Sequence, residues 1–204
     1  MIYSIIDLLS GAVFALLFVW IFMAFCNNVS SKRFFWVSVF TIYLCEMFDV
    51  VGIPAIQYFT WDPAIHLIPF SDEKNFRFFF QVGMNAVMFM PFGFMLPILW
   101  KKCRTWKATL LAGFFTSFTI ETIQLFSFRA TDVDDLIMNT LGTFLGYIIA
   151  WAFFHKKWKE DNEKDTGRVN EWASLVITIL ISLLVIIFIR TLVSGWIYRM
   201  PMFD

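Results

Sequence analysis

The stretch "SFRATDVDDLIMNTLGTFLG", residues 127 to 146, places one arginine and three aspartates directly before a long apolar run. The run continues to about residue 154, and a transmembrane helix needs about 20 mostly apolar residues. Because lipid offers no hydrogen bonds to an open backbone, a segment of this kind folds as a helix. The stretch therefore predicts a membrane helix that begins at a charged rim.

The composition of the whole chain agrees with a membrane protein. Of its 204 residues, 59% are hydrophobic and 16% are charged, and the mean hydropathy is +0.71. These values lie well beyond those of a soluble domain, so we predict an integral membrane protein with membrane lipids as partners. Sixteen Lys and Arg balance sixteen Asp and Glu, and no net charge points to nucleic acid.

The sequence offers six apolar segments of membrane-spanning length. We predict an all-α, polytopic bundle of about six transmembrane helices that forms a single integral membrane domain over residues 1–204. Pro91 and Pro97 interrupt the third segment, which is predicted either to span, to kink or to be re-entrant. The segments cover about residues 5–26, 34–59, 78–100, 107–128, 133–154 and 172–194.

The charges of the loops alternate along the chain. By the positive-inside rule the more basic loops face the cytoplasm, which places both termini outside a bacterial plasma membrane. The opening stretch then lies at the outer face. Eleven Lys and Arg occupy the inner loops: Lys32, Arg33, Lys101, Lys102, Arg104, Lys107, Lys156, Lys157, Lys159, Lys164 and Arg168.

Polar side chains on several segments fall at a similar depth below this face. With a helical rise of about 1.5 Å per residue, Glu121 lies roughly 12 Å below Arg129, and Asn139 lies roughly 10 Å below Asp132. Asn85 on the third segment reaches a similar level. A charged side chain at mid-bilayer costs about 2.5 to 3.5 kcal/mol on insertion scales, which favours a functional role for Glu121. We therefore predict a polar pocket that opens to the outside.

The fifth segment carries its polar and small residues on one helical face. Asp135, Asn139, Gly142 and Gly146 share a stripe at 100° per residue. The two glycines form a GxxxG pair, which suits close helix packing in lipid, within one chain or between two. The stripe predicts that Asp135 and Asn139 point into the bundle.

Simpler interpretations exist for several of these residues. Thr131 and Asp134 fit a capping box, so Asp134 is predicted to start the helix. For Asn85, Gln124 and Asn139, hydrogen bonding between helices is as good an account as ligand binding. A salt bridge to Asp132 or Asp135 accounts for Arg129 in the empty protein, and His66 is predicted to be a solvated loop residue.

Three motifs resemble the VanZ-like family of bacterial membrane proteins. They are "LIPF" at residues 67–70, "NAVMFMPFGFMLP" at 85–97 and "ETIQLFSFRATDVDDLIMNTLGTFLGY" at 121–147. The resemblance runs over about residues 67–154, the VanZ-like core. It implies low-level teicoplanin resistance as an expected role. The positions that it carries over are Glu121, Gln124, Arg129, Asp132, Asp135 and Asn139, with Asn85, Pro91 and Gly93 beside them.

The first functional hypothesis is a binding or accessory protein that contributes to glycopeptide resistance or cell-envelope maintenance. Its pocket takes an anionic or lipid-tailed ligand, such as a lipid-linked cell-wall precursor or a lipoglycopeptide. Arg129 holds the anion, Gln124 and Asn139 supply hydrogen bonds, and phenylalanines hold the tail. The predicted tail contacts are Phe89, Phe92 and Phe128.

Two alternatives stay open. In a membrane enzyme acting on a lipid-linked cell-wall substrate, Glu121 serves as general acid or base, and Asp132 and Asp135 are able to hold a divalent cation. The sequence has no HExxH, nucleophile or phosphate-loop motif, so no metal site is predicted and no cofactor is identified. The third alternative is a transporter, which the confinement of the polar residues to the outer half disfavours.

Overall fold

The computed structural model describes residues 2–25, 30–61, 65–66, 68–69, 76–127, 131–162, 170–189 and 192. This part of the chain contains six α-helices, which confirms the predicted all-α bundle. Five residues of π-helix, Val185–Ile189, follow the sixth. The helices are α1 (Ile2–Phe25), α2 (Ser31–Val50), α3 (Phe76–Leu99), α4 (Trp106–Gln124), α5 (Val133–Asn162) and α6 (Glu171–Leu184).

Three helical spans are long and apolar enough to cross a membrane. They are Phe78–Leu99, Val133–Trp158 and Glu171–Ile189, and Gly11–Ala24 forms a shorter apolar helix. The chain is therefore a membrane protein.

The described residues fall into two compact units, one of Met1–Thr60 with Ala173–Asp204 and one of Trp61–Trp172. The prediction of a single domain stays a prediction.

The second predicted segment was too long, because α2 ends at Val50 rather than near residue 59. Gly52 has a φ of 81°, in the left-handed region that glycine adopts without strain. The N–H of Ile53 donates to the carbonyl of Phe48, and the N–H of Gly52 donates to that of Asp49. This is a Schellman motif, which closes the helix and turns the chain away.

The third segment forms one continuous helix through both prolines. With 24 residues it is long enough to span, which favours a spanning helix over the re-entrant alternative. Each proline lacks an N–H and removes the hydrogen bond to the carbonyl four residues earlier, at Val87 and Gly93. The helix therefore continues in spite of two missing backbone bonds.

The fifth helix is longer than predicted, because residues 155–162 belong to α5 rather than to a solvated loop. The reason is packing at Trp158, which is buried against Tyr147. The Tyr147 hydroxyl also donates to the carbonyl of Arg104, 3.0 Å away. The Arg104 guanidinium lies over the Trp158 ring, 5.8 Å from its centroid. These contacts join the end of α5 to the 3-10 turn Lys101–Arg104 between α3 and α4.

The first unit packs α1 against α2 through small and aliphatic side chains. Ala15 and Val19 of α1 are fully buried, as are Phe40 and Leu44 of α2. At the edge of this contact, the Trp20 indole N–H donates to the Ser38 hydroxyl over 2.9 Å. Two carboxylates of the apolar second segment, Glu46 and Asp49, also lie on α2.

The second unit is built around the crossing of α3 and α5. A Cβ atom added to Gly142 would overlap the backbone carbonyl of Ala86, and one added to Gly146 would overlap that of Met90. On α3, a Cβ at Gly93 would overlap the carbonyl of Thr143 in the same way. The GxxxG pair thus packs within one chain, which answers the question that the sequence left open.

Cys45 and Cys103 are free and buried, and Cys26 lies outside the described residues. Cys103 lies in the turn between α3 and α4. Burial, with a smaller effect of Glu171, raises the pKa of the Cys103 thiol to about 12. The thiol is therefore neutral and unreactive at physiological pH, because the thiolate is the nucleophile.

Candidate functional site

Polar side chains from three helices meet at one end of the second unit. A two-residue parallel strand pair organises this end, with β1 (Ile65–His66) beside β2 (Thr131–Asp132). In its register His66 stands opposite Asp132, directly before the first turn of α5. We call His66, Asn85, Glu121, Asp132, Asp135 and Asn139 the polar cluster.

Glu121 is the most enclosed carboxylate of the cluster. Its residue is only 5% exposed, although it lies near the end of α4. Its Oε2 accepts a hydrogen bond from the Asp132 N–H at 3.1 Å, and its backbone carbonyl accepts one from the Thr131 hydroxyl at 3.1 Å. Glu121 therefore holds β2 in place and joins α4 to the start of α5.

Asp132 caps α5, in contrast to the predicted role of Asp134. Asp132 Oδ1 accepts a hydrogen bond from the Asp134 N–H at 2.9 Å, the usual bond of an N-terminal cap. Asp134 lies inside the helix and is buried. The capping prediction was wrong in its residue because the helix begins at Val133, so the residue before it is the cap.

Asp135 connects α5 to α3. The Asn85 amide nitrogen of α3 donates to Asp135 Oδ1, and both side chains are partly buried. Asp135 thus points into the unit, as the helical stripe predicted. The start of α5 therefore receives one hydrogen bond from α3, through Asn85, and one contact from α4, through Glu121.

Asn139 lies one turn deeper on the same face of α5. It is 2% exposed, and its amide nitrogen donates to the Ser117 hydroxyl of α4 at 2.9 Å. Its side-chain oxygen is buried and has no hydrogen-bond partner among the described residues. Buried polar atoms are almost always paired, so this oxygen is open to a donor from a water molecule or a ligand.

Two buried threonine hydroxyls farther from the start of α5 donate hydrogen bonds to backbone carbonyls. The Thr143 hydroxyl donates to the Asn139 carbonyl of its own helix, and the Thr109 hydroxyl donates to the Cys103 carbonyl. These threonines are fully buried. They therefore add buried polar atoms away from the first turn of α5, but backbone carbonyls accept their hydrogen bonds.

The remaining predicted site residues lie either in the buried interior of the unit or outside the described residues. Gln124 is buried near the end of α4, at 4% exposure. Arg129 and Phe128 lie outside the described residues. Phe89 and Phe92 are fully buried, with ring centroids 5.8 Å apart. Both belong to the packed core, so the prediction that they line the wall for a lipid tail was wrong.

His66 is a member of the cluster that sequence reasoning missed. Its side chain is 47% exposed, but Nδ1 lies 3.9 Å from Asp132 Oδ2, close enough for an ion pair when the imidazole is protonated. The pairing depends on two strands whose paired residues are 66 positions apart in the sequence. The only available signal was "LIPF" at 67–70, which marked the neighbouring loop.

The cluster has a graded exposure that suits the binding of a polar group at its rim. The Asp132 side chain is 21% exposed and faces His66, whereas Glu121 and Asn139 are almost closed off below. Within the described ranges, no group of three His, Cys, Asp or Glu side chains is arranged to hold a metal ion.

Residues 40–155 match the family model described as VanZ/LLP1, which is more than half of the chain. The chain belongs to the VanZ/LLP1 family. The match begins 27 residues before the expected core at residue 67, so it includes the second half of α2, where no motif was recognised.

A curated VanZ/LLP1 relative supports this membership. The chain is similar to "Protein VanZ" of Enterococcus faecium, with 30% identity over 119 residues. These residues make up 58% of this chain and 69% of the relative. No solved structure is similar enough to support a comparison of folds.

Proposed function

We propose that this VanZ/LLP1 member contributes to glycopeptide resistance, to teicoplanin above all, or to maintenance of the cell envelope. In this proposal the polar cluster binds an anionic or lipid-tailed ligand. The similarity to Protein VanZ supports the resistance role. The convergence of polar groups from α3, α4 and α5 in an otherwise apolar unit supports the ligand role.

The single observation that carries the proposal is the enclosed pair of Glu121 and Asn139. A carboxylate at 5% exposure and an amide at 2%, with its oxygen open to a donor, are costly in a membrane helix. Helix packing alone uses cheaper groups, such as the glycines of α5. A ligand group with hydrogen-bond donors offsets this cost, since it completes the bonds of Asn139.

The proposed ligands are a lipid-linked cell-wall precursor and a lipoglycopeptide. Both combine a polar head with a hydrocarbon tail, so the head can lie at the rim while the tail stays in lipid. Arg129 is proposed to hold an anionic group through its planar fork of N–H donors. Gln124 and Asn139 are proposed to add neutral hydrogen bonds below it.

The proposed location is the bacterial plasma membrane, with several spans and both termini outside. This orientation rests on the positive-inside rule, applied to the eleven basic residues that lie between the predicted segments. It places the polar cluster at the outer face, where cell-wall precursors and glycopeptides meet.

Alkaline phosphatase fused after residue 204 is expected to be active, and a fluorescent protein that folds only in the cytoplasm is expected to stay dark at that position. The opposite pattern would invert the topology.

An Arg129→Ala variant tests the ligand role. In a susceptible host, the native chain is expected to raise the inhibitory concentration of teicoplanin severalfold, with a smaller effect on vancomycin. Arg129→Ala is expected to remove this increase, because the alanine has no charge to offer an anion. Lys156→Ala, at the other end of the unit, serves as the matched control. Unchanged resistance to both drugs, at equal protein levels in the membrane, would refute the role of Arg129.

A membrane enzyme acting on a lipid-linked cell-wall substrate is the second candidate. The observation that favours it is the approach of His66 to Asp132, whose backbone N–H bonds to Glu121. His66 thus lies beside the Asp132 carboxylate and Glu121 beside the Asp132 backbone N–H, so two groups able to exchange protons lie near one residue, which suits acid and base catalysis. The Glu121 variants described in the Discussion separate this candidate from a binding protein.

A further inference from the structure

An apolar groove lies at the opposite end of the second unit, far from the polar cluster in sequence and in helical position. It has a volume of about 340 Å³. Its walls come from the first residue of α4 and from one face of α5. The lining residues, which define the basic-end groove, are Trp106, Phe144, Tyr147, Ile148 and Trp151.

The α5 wall of the groove follows from helical periodicity. Phe144, Tyr147, Ile148 and Trp151 are spaced three and four positions apart, so their side chains share one face. Trp151 is 48% exposed and Ile148 is 43% exposed, although both are large and apolar. The groove is therefore an open apolar surface within the membrane-spanning part of α5.

Lys107 and His155 contact the two tryptophans that line the groove. The Lys107 ammonium lies over the ring of Trp106, 5.6 Å from its centroid. The His155 ring stacks on Trp151 with centroids 4.6 Å apart, and its Nδ1 lies 2.8 Å from the Trp151 carbonyl. Lys102 is exposed in the adjoining turn. An apolar slot thus ends at a positively charged rim.

The apolar wall and the positive charge at its end together favour a ligand that has a hydrocarbon chain and an anionic group. We propose that the basic-end groove binds an anionic phospholipid, with an acyl chain against Trp106, Ile148 and Trp151 and the phosphate beside Lys107. Aromatic rings mark the boundary between hydrocarbon and headgroups, and basic pockets at that level select anionic headgroups. The volume lies within the range of about 300 to 1,000 Å³ that small-molecule sites occupy.

A second copy of the chain is a poorer occupant of the same surface. In a symmetric dimer the same patch meets itself, so the Lys107 rims of the two copies would face each other. Like charges at close range disfavour such a contact. An anionic lipid neutralises the rim and covers the apolar wall at the same time.

Native mass spectrometry of the full-length protein in detergent tests the proposal. Phosphatidylglycerol and phosphatidylcholine with identical acyl chains are added in parallel, and the fraction of protein that retains each lipid is measured. We expect retention of phosphatidylglycerol well above that of phosphatidylcholine. Glycerol 3-phosphate, which has the anionic group without the chains, is expected not to compete at equal concentration.

Two variants assign the retained lipid to the groove. Lys107→Gln is expected to weaken phosphatidylglycerol retention about fivefold, the usual effect of one basic residue near a headgroup. Lys32→Gln, an exposed lysine on α2, is the matched control and is expected to change nothing. Trp151→Leu is expected to lower retention because it removes ring area from the wall. Gel filtration checks that each variant stays folded.

Three outcomes would overturn the proposal. The first is equal retention of the two lipids, and the second is equal loss with Lys107→Gln and Lys32→Gln, which would indicate a general charge effect. The third is a lipid-free dimer that dissociates in Trp151→Leu, which would assign the groove to self-association. Each result is independent of drug resistance, so failure here leaves the polar cluster untouched.

Discussion

Gly142→Ala is expected to destabilise the second unit by about 3 kcal/mol, the upper part of the range for overpacking. The added methyl group would overlap the backbone carbonyl of Ala86, which cannot rotate out of the way as a side chain can. The two helices must then separate, and the neighbouring contact of Gly146 with Met90 is lost with them. Thermal unfolding of the purified protein in detergent, followed by gel filtration, measures the effect.

Gly83→Ala is the matched control, because it lies on α3 and a Cβ atom there would meet nothing within 4 Å. Alanine also has the higher helix propensity, so this variant is expected to be neutral or slightly stabilising. Gly113→Ala provides a graded case, since its Cβ would meet the Thr143 side chain rather than backbone. Equal melting temperatures for Gly142→Ala and Gly83→Ala would show that α3 and α5 do not pack in this way.

Glu121→Ala is expected to abolish teicoplanin resistance, whereas Glu121→Gln is expected to retain most of it. The alanine leaves the Asp132 N–H without its acceptor, at a cost of about 1 to 3 kcal/mol for a buried donor. β2 then loses the bond that positions Asp132 beside His66. Glutamine keeps a side-chain oxygen at the same place and so preserves the bond. Inhibitory concentrations and melting temperatures are measured together.

The glutamine variant separates binding from catalysis. If Glu121 transfers a proton, Glu121→Gln abolishes function while the melting temperature stays close to native. If Glu121 positions the site, function follows stability through both variants. Thr122→Ala is the control on the same turn, because Thr122 is exposed and its hydroxyl bonds only to the carbonyl of Phe118 within α4. Full activity of Glu121→Ala would remove Glu121 from either mechanism.

The features that were predictable from sequence are those that depend on the residue spacing within a single helix. The inward stripe of Asp135 and Asn139 on α5 and the packing glycines of that helix follow from the spacing of 3.6 residues per turn. The end of α2 was missed because hydrophobicity continues past Val50, while the chain turns at Gly52 through backbone geometry. The composition of a segment indicates whether it lies in lipid or in water, but it does not indicate the residue at which the helix ends.

Contacts between distant segments were not predictable, and they define much of the site. The partners of Asp132 include His66, Glu121 and Asp134, and of these three only Asp134 is local in sequence. A parallel pairing of two residues has no periodic signal, since it is too short to alternate. Phe89 and Phe92 illustrate the opposite error, because aromatic residues near a polar cluster serve the core as readily as a ligand.

The two prolines of α3 have a consequence for how the protein is made. This helix leaves the ribosome before α5, so it must enter the bilayer while the carbonyls of Val87 and Gly93 lack their helical donors. The amide of Asn85 is also without Asp135 at that moment. Insertion of α3 is therefore expected to become more favourable when α5 arrives, because Asp135 then accepts the hydrogen bond of Asn85 and the glycines of α5 pack on the α3 backbone.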